Sequence, residues 1–206
     1  MNKINYFLAQ SKQEIEEAFL LIYKEYVKQG YLSERAANSK LKVDSCFLLP
    51  DSATFISKIN HKIIGTVSVA ADSRFGLPMD EIYKEELDEL RGENKKIAEV
   101  CRLAINNKKH NNLSLLIPLL KLVVHFGFYK EIDFLCVAIN PKHNSFYSSL
   151  FFQDIGKLKS YPSVNGAPAL AKILDLNKLK KIKARNFFIK EIIESNPPDY
   201  NLFKKL

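Results

Sequence analysis

The chain has 206 residues, 47% of them apolar, and a net charge of +8; it can bury one substantial core, which argues against a disordered or multidomain chain. Its three cysteines, Cys46, Cys101 and Cys136, show no paired spacing, so reduced thiols are expected in place of a disulfide framework or a metal site. The charge is uneven: residues 157–206 hold eleven Lys or Arg against four Asp or Glu, and residues 72–93 hold eight acids against three bases.

Residues 3–9 alternate as a first strand would. Ser11 with Glu14 forms a capping-box pattern, after which Ile15, Phe19, Ile22, Tyr23 and Tyr26 share one helical face until Gly30 stops it. Residues 31–50 carry mixed signals and read as irregular. ATFISKI and KIIGTVSVA, separated by Asn60 and His61, form a hairpin rich in β-branched residues. The acidic insert at 72–93 has helical spacing in its second half and a stop at Gly92. IAEVCRLAI, at 97–105, is a strand, and 113–128 a helix with a kink or late start at Pro118. DFLCVAI is the nearly continuous apolar run expected of a central strand covered on both faces. A short helix at about 143–151 places Phe146, Tyr147, Leu150 and Phe151 on one face. Residues 153–160 and 169–176 make two final strands, and 178–194 an amphipathic helix with Leu179, Ile182, Ile189 and Ile193 inward. This order predicts a mixed α/β (α+β) fold, one central mixed sheet flanked by helices. A single domain over residues 1–176 carries a basic C-terminal helical extension, 177–206. The longest apolar stretch, LSLLIPLLKLVVHFGF, is broken by Pro118, Lys121 and His125, and MNKINYFLAQ leads into no apolar signal core. A soluble, cytoplasmic protein is expected, with peripheral contact with lipid left open.

Four stretches carry the chemistry: GLPMDEIYKEELDELR at 76–91, IAEVCRLAI, AINPKHNSFYSSLFFQDIG at 138–156, and SYPSVNGAPAL at 160–170. The Asn, Phe-Tyr, Leu-x-Phe and Gly spacing of the third resembles the last core helix of the GNAT acyltransferase fold. Together, over roughly residues 50–176, the four resemble the long-chain N-acyl amino acid synthases, relatives of the acyl-homoserine-lactone synthases. The resemblance implies a single-domain GNAT N-acyltransferase. It would move a medium or long fatty acyl chain from an acyl carrier protein thioester to the α-amine of an amino acid, with no tightly bound cofactor and a phosphopantetheine-linked donor. Residues 31–50 would then help close the acyl pocket.

Glu99 and Arg102 stand among apolar neighbours, where an unpaired charge is costly. Three apart in a regular strand, they face opposite sides; a β-bulge between them would restore a common face and expose a backbone donor. Glu99 is the candidate base, with Arg102 orienting it or meeting the substrate carboxylate, and the same two residues also read as a buried ion pair that fixes the strand. Cys101 and Leu103 beside them are candidate substrate contacts. Tyr147 either protonates the leaving thiolate, a role a tyrosine on this helix plays in relatives of the fold, or belongs to the core. His143 serves the amine or begins the helix, and Asn140 bonds the pantetheine amides or satisfies a strand end. Arg74 binds a carboxylate or is an exposed loop arginine. Tyr161 and Asn165, carried over from the resemblance, line the acyl or amino-acid pocket or are ordinary turn residues.

Acetyl-CoA enzymes of this fold open the helix after the fourth strand with a glycine-rich loop, whose glycines let backbone amides approach the pyrophosphate. Here that place reads NNKKHNNLSLL, without glycine. A donor on phosphopantetheine alone needs no such loop, and an acidic carrier protein would suit the basic C-terminal region. Lys108, Lys109 and His110 would meet the carrier's phosphate or form a solvated basic loop. The rival readings are a homoserine-lactone-type synthase, which must also cyclise S-adenosylmethionine, and a non-catalytic module that binds a carrier protein or lipid. Nucleic-acid binding has no aromatic-basic motif behind it.

Overall fold

β1 (Asn5–Leu8) leads into α1 (Lys12–Lys28), whose start is fixed by both halves of the capping box: the Glu14 amide donates to the Ser11 hydroxyl at 3.1 Å, and the Ser11 amide to the Glu14 carboxylate at 3.2 Å. The structure, a computed structural model, describes residues 4–33, 49–106, 112–182 and 187–205. β2 (Ala53–Ile59) and β3 (Lys62–Ala71) form the expected hairpin; Asn60 and His61 both take positive φ, 47° and 66°, as a two-residue turn matched to the strand twist requires. α2 (Asp80–Gly92) begins earlier in the acidic insert than its helical spacing predicts and bends at Tyr83, whose ring is fully buried and whose hydroxyl lies 2.6 Å from the Ala169 carbonyl.

β4 (Ile97–Ile105) and β5 (Phe134–Ile139) are joined by α3 (Asn112–Tyr129). The expected kink or late start at Pro118 is not found, since α3 runs through it. Proline leaves the carbonyl four residues back without its helical partner, and that carbonyl, of Ser114, accepts from the Tyr6 hydroxyl at 3.2 Å. α3 is long and apolar enough to cross a membrane, yet ten of its residues are buried in the core.

A turn of 3-10 helix, Pro141–His143, precedes α4 (Asn144–Ser149). The single strand expected over 153–160 is two: β6 (Gln153–Asp154) and β7 (Lys159–Tyr161), which pair with different stretches of β8 (Ala167–Asp175) and are separated at Gly156, where a side chain would meet Tyr83 and Glu86. The expected C-terminal helix over 178–194 is also corrected. α5 (Leu176–Leu179) is one turn capped by the Asp175 carboxylate; α6 (Phe187–Ile189) passes into a π-helical turn, Lys190–Glu194, and a 3-10 stretch, Tyr200–Lys205, follows. The wider π turn buries Ile192 fully, with Ile193 partly buried against the same cluster.

The sheet order is β1-β2-β3-β4-β5-β8-β6, with β7 on β8, and only β4 and β5 run parallel. α3 and the C-terminal segment cover one face, where Leu176, Leu179, Ile189, Ile192 and Phe203 share a cluster with Phe55, Val67 and Phe126. The C-terminal residues are thus part of the main core. α1 and α2 cover the other face.

Candidate active site

The site is built where the sheet comes apart. β4 and β5 pair over three residues only, Ile97–Phe134, Ala98–Leu135 and Glu99–Cys136. Beyond Glu99 they diverge. On its other edge β4 holds one residue too many: Ser68 pairs with Cys101 and Thr66 with Ala104, and Arg102 takes φ 53°. A bulge is therefore present, but Arg102 and Leu103 form it opposite Val67, so it begins at Arg102 and does not lie between Glu99 and Arg102 as their spacing suggests; a bulge bends and twists its strand.

The gap is a cavity of about 540 Å³. β4 contributes Glu99, Cys101, Arg102 and Leu103; β5 and its exit contribute Val137, Asn140, His143 and Tyr147; α1 contributes Phe19, Ile22 and Tyr26. Tyr161, Val164 and Ala169 close it from the β7–β8 side, and Pro78 from the turn before α2. Of the sequence-derived candidates, Glu99, Cys101, Arg102, Leu103, Asn140, His143, Tyr147 and Tyr161 therefore meet in one cavity. Arg74 does not line it: it is exposed, its guanidinium 4.9 Å from the Phe75 ring centroid. Asn165 also lies off the cavity wall, at a left-handed turn (φ 58°), where its side-chain amide donates to the Gly30 carbonyl at 3.1 Å and ties the turn to the end of α1. Lys108, Lys109, His110 and Cys46 lie outside the described residues.

Glu99 is 3% exposed. One carboxylate oxygen accepts the Met79 amide at 2.8 Å, and no hydrogen bond or ion pair joins it to Arg102. Arg102 instead turns its guanidinium over the Phe19 ring, 4.6 Å from the centroid, and acts on Glu99 only as the smallest electrostatic influence. The expected buried ion pair is thus replaced by a backbone contact. Burial pushes the Glu99 carboxyl up to about 8; the Met79 amide draws it down, the Asp80 charge pushes it up and Arg102 draws it down. A carboxyl in that range can both accept and hold a proton near neutral pH.

Burial raises the Tyr147 phenol to about 12, so it stays protonated, and its hydroxyl makes no hydrogen bond among the described residues. The Tyr161 phenol, raised by burial and by Glu99 and Glu81, donates to the Pro78 carbonyl at 2.8 Å. Asn140 caps the turn that follows it, accepting the Lys142 amide at 3.1 Å. His143 is held below its ordinary value by partial burial and then by Lys142. α4 is seated by Lys172, 1% exposed, whose ammonium donates to Asn144 at 2.8 Å and Asp154 at 2.5 Å.

Sequence reasoning missed Tyr26, Phe19 and Met79. Tyr26 and Phe19 were legible only as core positions of α1, although a helix face with tyrosines at both 23 and 26 is more polar than a plain core face. The Met79 amide carries no side-chain signal.

The family model described as N-acyl amino acid synthase FeeM matches residues 17–175. The structure of FeeM, an N-acyl amino acid synthase from uncultured soil microbes, is similar over 88% of this chain and 96% of its own, with a TM-score of 0.77 and 31% identity. The AHL synthase LasI is similar over 86% of this chain and 92% of its own, with a TM-score of 0.62 and 12% identity. A GNAT-family acetyltransferase from Streptococcus pneumoniae is similar over 84% and 99%, with a TM-score of 0.57 and 13% identity. At such identities the last two show the fold alone. Comparison with curated proteins finds no match.

Proposed function

The chain belongs to the FeeM family of N-acyl amino acid synthases and is an N-acyltransferase, and from this premise we propose that it transfers a medium or long fatty acyl chain from an acyl carrier protein thioester to the α-amine of an amino acid. The observation that carries the reading is a buried carboxyl, Glu99, facing a cavity opened between two central strands. The aromatic and aliphatic wall from α1 suits an acyl chain. In the reaction the amine nitrogen attacks the thioester carbonyl, and Glu99 takes the proton that nitrogen must lose. Backbone amides at the strand gap meet the oxyanion, and the C–S bond breaks as Tyr147 gives its proton to sulfur. The amide and a free thiol leave, and the proton on Glu99 passes, directly or through solvent, to the Tyr147 phenolate, which restores both groups. Arg102 serves the acceptor's carboxylate.

Tyr147→Phe removes only a hydroxyl that no other described residue uses. It is expected to keep the melting temperature and to lower turnover by roughly tenfold to a hundredfold; unchanged turnover would take Tyr147 out of the reaction.

The carrier-protein donor rests on the absence of glycine at residues 106–116 and on the basic C-terminal charge. Acyl carrier protein donors are expected to surpass the same acyl group on coenzyme A by about tenfold in kcat/KM, or about 1.4 kcal/mol. The margin should shrink as salt shortens the Debye length below about 8 Å. The direct test is to incubate the protein with acylated carrier protein of several chain lengths and pooled amino acids, then read product masses. A lactone product would move the chain to the homoserine-lactone type, and no product with any donor would favour a binding module.

A further inference from the structure

The turn at 76–80 presents two backbone groups to the site, the Met79 amide to Glu99 and the Pro78 carbonyl to Tyr161. Its other side is tied down by one residue remote from the cavity. Arg91, on the last turn of α2, uses five guanidinium N–H donors on three carboxylates. Nε and Nη2 grip Asp72 at 2.9 and 2.8 Å, Nη1 and Nη2 grip Asp80 at 2.8 Å each, and Nη1 reaches Asp88 at 2.7 Å. Asp80 in turn accepts the Leu77 amide at 2.6 Å, and its carboxylate fits against Gly76, where φ is +69° and a Cβ would sit 2.7 Å from Asp80 Oδ2. A planar fork with every donor engaged fixes both position and orientation, which an ammonium cannot do.

We infer that Arg91 is a positioning residue for the acyl transfer: by clamping Asp72 and Asp80 it holds the 76–80 turn so that the Met79 amide stays on Glu99. The inference rests on the reading of Glu99 as the base. The titratable and charged groups facing that carboxyl are Asp80 from the turn, Arg102 from β4, Cys136 from β5, Tyr26 from α1 and Tyr161 from β7. Among them the Asp80 charge is the one Arg91 neutralises. Loss of the clamp acts twice in one direction, since a freed Asp80 charge and a lost amide contact both disfavour the Glu99 carboxylate.

The test is a titration of carboxyl carbons in protein labelled at glutamate, followed by NMR, with the Glu99 signal identified by its absence from Glu99→Gln. Arg91→Gln is expected to raise the Glu99 midpoint by about one pH unit. Arg91→Lys, which keeps the charge but not the planar fork, is expected to raise it as well, and Asp88→Asn, at the exposed end of the clamp, to leave it in place. A purely electrostatic role would leave Arg91→Lys at the wild-type midpoint. If Arg91→Gln fails to fold, Arg91→Lys carries the test alone; a midpoint unmoved there, or unmoved in both variants, overturns the inference. The acid limb of kcat/KM should follow the Glu99 midpoint in each variant. A limb that persists in Glu99→Gln overturns the reading of Glu99 as base and leaves the clamp on its carboxyl standing.

Discussion

Glu99→Gln is expected to fold, to keep its donor bound, and to lower turnover by on the order of a hundredfold, the scale of a lost general base. Its stability should depart from the wild type in a pH-dependent way. The native Glu99 carboxyl releases its proton at about 8, whereas its ordinary value is 4.5. Between those values the folded protein binds a proton that the unfolded chain has released, so the contribution of Glu99 to stability falls as pH rises across that window, at up to about 1.4 kcal/mol per pH unit. Below the window both states are protonated, and above it the cost of the buried charge is constant. The substituted glutamine would titrate nowhere, and its amide oxygen can still take the Met79 N–H. The variant should therefore match the wild type near pH 4.5 and melt higher at pH 8. Thermal melts at three pH values beside one rate assay decide the matter. A variant destabilised at every pH would mean that the carboxylate holds the strand in place, and a stable one with near wild-type turnover would move the base elsewhere.

Phe203→Ala is expected to cost about 3–5 kcal/mol of unfolding free energy. Phe203 is 1% exposed and meets Phe55 and Phe126 edge-on at 6.0 and 5.5 Å between ring centroids. These neighbours belong to β2 and α3, which a side chain from a loosely appended tail would not reach. Nearby, His125 is also held by this segment: Nε2 donates to the Ile192 carbonyl at 3.0 Å, leaving Nδ1 to accept the Tyr200 hydroxyl at 2.8 Å. Burial lowers the His125 pKa, in the direction that favours this neutral form. Urea unfolding of Phe203→Ala measures the cost directly; a loss under about 1 kcal/mol, well below the usual range for a buried phenylalanine, would make the C-terminal residues a dispensable cover.

Where the sequence states a local physical rule, it is read correctly. The capping box at Ser11, the positive-φ pair at Asn60 and His61, and the continuous apolar run of β5 each encode one conformation. That β4 carries a bulge is legible for a different reason, two charges at odd spacing in an apolar strand, but its place is not: the extra residue falls at Arg102 and Leu103, past the interval between the two charges. What escaped depends on distant partners. Pro118 reads as a helix defect until Tyr6, more than a hundred residues away, supplies the donor for the freed carbonyl. The division of 153–160 into two strands follows from Tyr83 and Glu86 crowding Gly156. Glu99 and Arg102 invite pairing with each other because backbone amides are invisible in a side-chain pattern, and the amide that wins belongs to a methionine twenty positions earlier. The acidic run at 72–93 shows in sequence only its charge and its helical spacing, and that three of its carboxylates converge on Arg91 appears only in the fold.

The three-residue junction between β4 and β5 has a thermodynamic side as well. A central pair of parallel strands ordinarily carries a long ladder, and here the protein forgoes most of it while folding. A substrate entering between the strands thus finds edges that were separated in advance and need break no ladder to pass. Part of the work of recognition is done during folding, and binding inherits a rigid opening whose reorganisation cost is already met. The same choice leaves a lightly reinforced seam in the middle of the sheet, so a change that straightened β4 and closed the junction would trade catalytic capacity for a firmer sheet.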